Sequence, residues 1–275
     1  FWRAMTRGAS GSFSGRELLF IAVDETFRRQ GMALRLMEAA GAEFRRRGIP
    51  AYELSVSADN AAALAAYRKM GFEKITIIRA GLDFKPKLTP KKQNQIIFLG
   101  RLTKNKRPED AILAFKKIRE LFPSSKMIIV GNGKDYYVNF LKKLAKSFRL
   151  GKSIKFTGYV GDVTKIKLLS QSRIILIPSV REGWGLVAIE AMSQGTVPVA
   201  YNVPGLKDAI NNQTGILTDP NPLSLADAAI KLLQDEKLRS KLAQNGYHFA
   251  RKSSWENTYL DFKKVLDGIL SKAPD

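Results

Sequence analysis

"RIILIPSVREGWGLVAIEAMSQGTVPVA" (residues 173–200) reads as an apolar strand, a loop with two glycines around a tryptophan, a helix and a second apolar strand. The first strand is aliphatic without polar alternation, as strands covered on both faces are. Its loop holds Glu182 and its helix holds Glu190, eight positions apart, with Gly183 and Gly185 flanking Trp184 between them. A strand, a glycine loop and a helix in that order present backbone amides at a helix start, where an anion is favoured.

The same unit recurs on both sides. "QIIFLG" (95–100), "KMIIVG" (126–131), "SIKFTGYVG" (153–161), "TVPVAYN" (196–202) and "TGILTDP" (214–220) read as further strands, each followed by a helical stretch. The last helix is expected as one run over 223–252. Apolar strands alternating with amphipathic helices predict an α/β fold with a Rossmann-like parallel sheet. Ligands of such sheets bind beyond the carboxyl ends of the strands. The loops at that edge carry the chemistry. "GRLTKNK" supplies Arg101 and Lys106, a fork and a point charge able to converge on one anion. The amides of Trp184, Gly185, Leu186 and Val187 form the helix start, "GYVGD" offers Tyr159 and Val160 to an aromatic base, and "VPGLKD" (203–208) is another glycine turn. Carboxylates sit badly beside phosphates unless they have another task, and a carboxylate suits vicinal hydroxyls. One glutamate on a ribose diol and the other on a sugar, with the diphosphate between, describes a nucleotide diphosphate sugar.

The 275 residues suffice for two domains. With no cysteine, disulfides and thiolate metal sites are excluded and a reducing compartment is expected. The apolar runs are too short to span a bilayer and no secretory signal is visible. A net charge of +21 draws anions. No DNA- or RNA-reading motif is present, so nucleic acid is not an expected partner. The basic amphipathic helix "VNFLKKLAKSFRL" (138–150) admits peripheral membrane contact, although covering the sheet explains it more simply.

Composition changes along the chain. Residues 1–80 hold eleven Arg and two Lys, whereas 91–275 hold eight Arg and twenty-three Lys. The proline- and lysine-rich "FKPKLTPKKQNQ" lies between them. The expected organisation is a segment over 1–84, a linker over 85–94 and a second domain over 95–275. The first segment reads strand (17–24), helix, strand (51–57), helix, strand (72–80). Within it "RRQGMA" (28–33) puts a glycine at a helix start, and "NAAALAAYRKMGF" (60–72) lies at a set distance downstream.

Residues 95–265 resemble the donor-binding C-terminal domain of GT-B fold glycosyltransferases of family 4, the group 1 transferases. The E-x7-E signature stands as "EGWGLVAIE", and "GRLTKNKRPE", "GTVPVA", "VPGLKDAI" and "TGILTDP" fall in the family's places. The resemblance implies retaining transfer from a UDP-, GDP- or ADP-sugar without a bound metal. It assigns Arg101 and Lys106 to the diphosphate, Glu182 and the amides of Gly183 to Val187 to donor sugar and phosphates, and Glu190 to the ribose. The base falls near Tyr159 and Val160. No D-x-D pair is present, in keeping with the metal-free expectation. The family's acceptor domain does not precede residue 95, so catalysis by this chain alone is expected to be incomplete, with the acceptor, a glycan or a lipid, undefined.

Residues 17–80 resemble the acetyl-CoA-binding half of GNAT acetyltransferases. The resemblance implies acetyl-CoA as a cofactor, with Arg29, Gln30, Gly31, Met32, Ala33 and Leu34 on its pyrophosphate, Asn60 on the cofactor and Tyr67 near the leaving thiolate. The strands that shape the family's acceptor site are not visible, and this half is expected to be inactive. The alternatives are a bifunctional acetyltransferase and glycosyltransferase, or a non-catalytic nucleotide-binding fusion. The tail "SSWENTYLDFKKVLDGIL" resembles the helix that crosses back to the acceptor domain. An apolar face of Trp255, Tyr259, Phe262 and Val265 there favours self-association. His248 is expected on the surface or in packing. The expected location is the cytoplasm, with the inner face of the membrane as the alternative.

Overall fold

A computed structural model describes residues 16–18, 32–48, 52–54, 65, 67–69, 80–89 and 91–270. The chain divides into two compact units, Phe1–Ile75 and Thr76–Asp275.

In the first unit, strands β1 (Arg16–Leu18) and β2 (Tyr52–Leu54) pair in parallel, Arg16 opposite Tyr52. Helix α1 (Met32–Arg46) lies between them in sequence, so a β-α-β order is present. Glu43, in the last turn of α1, is gripped by Arg46 and by Arg47 just beyond the helix, with contacts of 2.7 and 2.6 Å. The expected strand over 72–80 lies almost wholly outside the described residues.

The second unit is built on six parallel strands: β3 (Gln95–Leu99), β4 (Lys126–Val130), β5 (Ile154–Gly158), β6 (Ile174–Ile177), β7 (Val197–Tyr201) and β8 (Ile216–Thr218). Their order is β5-β4-β3-β6-β7-β8, and every pair is parallel. The unit is a Rossmann-like sheet. The order reverses between β3 and β6, the switch point at which ligands of such sheets bind at the carboxyl edge.

The absence of polar alternation in β3, β4 and β6 has a direct physical outcome. Ile96, Phe98, Met127, Ile129, Ile174 and Leu176 enter one core, and Ile97, Ile128, Val130, Ile175 and Ile177 enter another on the opposite face. Helices α2 (Pro108–Leu121), α3 (Asp135–Ser147) and α7 (Pro222–Gln234) supply Phe115, Leu141 and Leu225 to the first core. Helices α4 (Asp162–Gln171), α5 (Leu186–Ser193) and the short α6 (Leu206–Ala209) supply Leu169, Ile189 and Leu206 to the second.

The expected single helix over 223–252 is two. Asp235 leaves helical geometry (φ −108°, ψ 90°) and accepts the Leu238 amide, capping α8 (Glu236–Ala250). The break lets the chain pass from one face to the other. Leu242 joins the first core and Ala250 the second. Gly246 meets α5 closely, since a Cβ there would stand 2.9 Å from Met192 Cγ.

Residues 80–89 and 91–95, which include the described part of the expected linker 85–94, run along this unit. The Leu82 amide donates to Ser253 O, Lys87 to Ser193 O and Gln93 to Gln171 O. Helix α9 (Trp255–Leu270) begins against this strap, Trp255 Nε1 donating to Asp83 Oδ1 at 2.8 Å. Trp255, Tyr259 and Leu260 of α9 are exposed, Phe262 is half-buried, and His248 is exposed beside Tyr247. Among the described residues no helix is long and apolar enough to cross a membrane.

Candidate functional site

Two loops meet at the reversal point. Gly100 and Arg101 follow β3, and the chain enters α2 through Arg107, which is left-handed at φ 47°. Asn105 staples this loop to the one after β6: its side-chain amide donates to Arg181 O at 2.9 Å and its carbonyl accepts the Val180 amide at 3.0 Å. From below, the buried Tyr201 hydroxyl of β7 donates to Asp110 (2.7 Å), and Asp110 pairs with Arg107 (3.3 Å). Burial first, and then the adjacent Asp110 carboxylate, push the Tyr201 hydroxyl up, so it stays a donor. The position of Lys106 is therefore fixed from two sides.

The second wall is the 182–187 turn. Gly185 caps α5 in left-handed geometry (φ 67°), and no side chain caps the helix start. The turn lies flat on α6. A Cβ on Gly205 (φ 84°) would fall 2.2 Å from Glu182 O and 3.0 Å from Gly183 O. These are backbone atoms that cannot rotate away, so Gly205 sets the height of the loop.

Between the walls is an open pocket of about 400 Å³. Lys106, Glu182, Trp184, Gly185, Leu186, Val187 and Glu190 line it together, joined by Leu99, Gly100 and Lys165. Both glutamates thus face one space. Each has its own lysine: Lys106 Nζ donates to Glu182 Oε1, and Lys165 Nζ donates to Glu190 Oε1 at 2.8 Å and pairs with Asp162 at 3.0 Å. The pairs are sheltered, with side-chain exposures of 19% and 11% for Lys106–Glu182 and of 17% and 13% for Lys165–Glu190.

Electrostatically the second pair is uneven. Burial raises the Glu190 carboxyl above the usual carboxylate range, and Lys165 only partly reverses that. For Lys165 burial works against the charge, but the hydrogen bonds to Glu190 and Asp162 outweigh it and its pKa rises. The Phe84 ring adds to this, with Lys165 Nζ 5.4 Å from its centroid.

Lys165 was not among the sequence candidates. It stands in the first turn of α4, at the same sheet edge, and only its approach to Glu190 distinguishes it from neighbouring lysines. A folded-state carboxyl raised above its unfolded value favours the protonated fold, so stability is lost as pH rises from about 4.5 through the raised pKa. Lys165→Met is expected to steepen that loss and lower stability at neutral pH by about 1–3 kcal/mol. Lys165→Arg is expected to keep the wild-type profile. Denaturant melts from pH 4 to pH 8 check both (roughly the span in which a shifted Glu titrates); identical slopes for wild type and Lys165→Met refute the pairing.

Other candidates fall elsewhere. Arg101 is exposed beside Gly100, outside the pocket lining, and Gly183 is exposed between lining residues. Tyr159 is 78% exposed beyond β5, its amide donating to Asn132 Oδ1 at 2.8 Å, with Val160 packed partly on the second core. In the first unit, Met32, Ala33 and Leu34 open α1 and Tyr67 is helical, whereas Arg29, Gln30, Gly31 and Asn60 lie outside the described residues. Among the described residues no cluster of three or more His, Asp or Glu could hold a metal ion.

Known proteins are similar to this chain in sequence and in fold. The family of glycosyl transferases group 1 matches residues 81–249, well over half of the chain, and the acetyltransferase (GNAT) family matches residues 7–72. A glycogen synthase of Mycobacterium tuberculosis is 31% identical over 175 residues, 60% of this chain and 41% of that protein. The C-terminal domain of a glycosyl transferase group 1 protein of Francisella tularensis superposes with a TM-score of 0.53 at 26% identity, covering 62% of this chain and 93% of that one. The pneumococcal O-GlcNAc transferase GtfA, solved with UDP and GlcNAc, shares the fold with a TM-score of 0.66 at 19% identity, covering 79% of this chain and 45% of that one. The chain spans about two fifths of the length of the glycogen synthase it matches.

Proposed function

The chain belongs to the glycosyl transferases of group 1, and from that premise we propose that its second unit binds the nucleotide diphosphate sugar from which a glycosyl group is transferred. The observation that carries this reading is the pocket at the β3/β6 reversal, which Glu182 and Glu190 line together with the amide-bearing turn of α5, each beside a lysine. The diphosphate lies against the amides of Leu186 and Val187, where the helix start favours negative charge. Lys106 turns from Glu182 toward the phosphates, and Arg101 closes from the exposed side of the same loop. Glu182 then accepts from hydroxyls of the donor sugar and Glu190 from the ribose diol. Tyr159 and Val160 flank the base.

In the reaction the bond between the anomeric carbon and the diphosphate oxygen breaks and that oxygen takes the electron pair. Lys106, Arg101 and the α5 amides stabilise the charge that develops there. The acceptor oxygen forms the new bond with retention of configuration and gives its proton to the departing phosphate oxygen. The acceptor is a glycan or a lipid. The solved transferase with UDP and GlcNAc supports the donor class, and UDP-, GDP- and ADP-sugars are the candidates.

A thermal-shift panel of UDP-, GDP- and ADP-sugars on the purified chain tests the reading. At least one is expected to raise the melting temperature. Glu190→Ala is expected to reduce affinity by roughly 10- to 100-fold through loss of hydrogen bonds to the ribose, and Arg101→Ala by about tenfold. A folded protein that responds to none of the three defeats the proposal. Acetyl-CoA belongs in the same panel, because the GNAT match and the helix start at Met32–Leu34 favour a second site in the first unit. A response to acetyl-CoA alone reverses the ranking of the two halves.

A further inference from the structure

Helix α3 sends Tyr137, Leu141 and Ala145 into the core, which accounts for one face of it. The opposite face has two halves. Tyr136 (68% exposed) and Phe140 (48% exposed) occupy the N-terminal half, and the exposed Lys142, Lys143 and Lys146 the C-terminal half. At 3.6 residues per turn these five positions fall within an arc of roughly 160°. Exposed Arg149, Lys152 and Lys155 continue the charge over the following turn and the edge strand β5. No acidic residue occurs between Asp135 and Asp162. Among the described residues, Lys106, Lys117, Lys165 and Lys264 are in ion pairs, and none of these six cations is.

Covering a sheet requires a polar outer face but not two outward rings. Rings beside uncompensated cations match the boundary of a charged bilayer, where aromatic groups settle among the headgroups and ammonium groups meet lipid phosphates. Nucleic acid fits less well. Stacking needs aromatic platforms along a basic groove, whereas here the rings sit at one end of a convex helix and the cations at the other. We propose that the outer face of α3, continued by β5, docks on an anionic phospholipid bilayer. Because α3 returns the chain from β4 to a parallel β5, its aromatic end lies at the carboxyl edge of the sheet, the edge that carries the pocket.

Co-sedimentation of the full chain with vesicles tests this. Binding is expected to vesicles of equal parts phosphatidylcholine and phosphatidylglycerol and not to phosphatidylcholine alone. K142Q/K143Q/K146Q is expected to weaken it on the order of 100-fold. K231Q/K237Q/K241Q, which removes the same charge from exposed positions of α7 and α8, is expected to leave it nearly unchanged. Y136S/F140S is expected to abolish the binding that survives high salt, and circular dichroism checks that each variant is folded. The proposal is overturned if the wild type does not sediment with the anionic vesicles, or if the two lysine triples weaken binding equally. It is also overturned if K142Q/K143Q/K146Q loses polyuridylate binding while retaining vesicle binding, which identifies a nucleic-acid surface.

Discussion

Gly205→Ala is expected to abolish the response to nucleotide sugars and to lower stability by about 3 kcal/mol. The position combines a φ of 84° with a Cβ site 2.2 Å from Glu182 O, 2.6 Å from Glu182 C and 3.0 Å from Gly183 O. An added methyl group has no room, and the atoms in its way belong to the turn that carries the Glu182 carboxylate and leads into the α5 amides. That turn must lift, and it carries with it the groups proposed to hold sugar and phosphate. For a unit of this size the melting temperature should fall by roughly 10 °C. Gly151→Ala is the control, because nothing lies within 4 Å of its Cβ position. It should leave both melting and ligand response unchanged. A Gly205→Ala protein that melts lower yet keeps full donor affinity would show that the turn does not contact the donor.

Lys92→Met is expected to remove a large part of the pH dependence of stability above neutrality. Lys92 reaches from the strap before β3 into the unit and donates to Ser170 O (2.9 Å), Gln194 O (2.6 Å) and Thr196 Oγ1 (3.2 Å). Three acceptors match the three donors of an ammonium group, and two of them are carbonyls at the C-terminal ends of α4 and α5. Burial opposes the charge, Arg239 adds repulsion, and together they lower the Lys92 pKa from 10.5 to about 7. The sign follows. Between pH 7 and pH 10.5 the unfolded chain binds a proton that the fold gives up, so stability rises with pH across that window. The full swing is on the order of 3–5 kcal/mol. Chemical denaturation at pH 7 and pH 10 should show the wild type gaining stability relative to Lys92→Met. Parallel pH profiles would mean that the three acceptors hold the ammonium charged throughout.

What could be read from the sequence followed how locally each feature is determined. The strands were legible because burial on both faces demands unbroken apolar runs, and Ile174 to Ile177 are all buried. That Glu182 and Glu190 line one pocket was legible because a loop and the next helical turns hold them within eight residues of each other. Lys165 was not legible, since a lysine in the first turn of an amphipathic helix looks the same whether it meets solvent or a carboxylate from another helix. The helical break at Asp235 was hidden by the leucines that continue on both sides. Its signal was an aspartate three residues before a leucine amide, which is a capping pattern only if the chain turns there. Lys92 was hidden in the same way by a proline- and lysine-rich composition that says nothing about docking.

The strap has one more consequence. Gly81 lies so near α9 that a Cβ there would stand 2.2 Å from the Trp255 amide nitrogen, and Leu82 forms a parallel bridge with Ser254. The segment that leads to β3 and the segment that leads from α8 into α9 therefore pass through the same small area. A module whose two leads emerge side by side is interchangeable in the way a plug is: different hosts can be spliced to it without rethreading its interior.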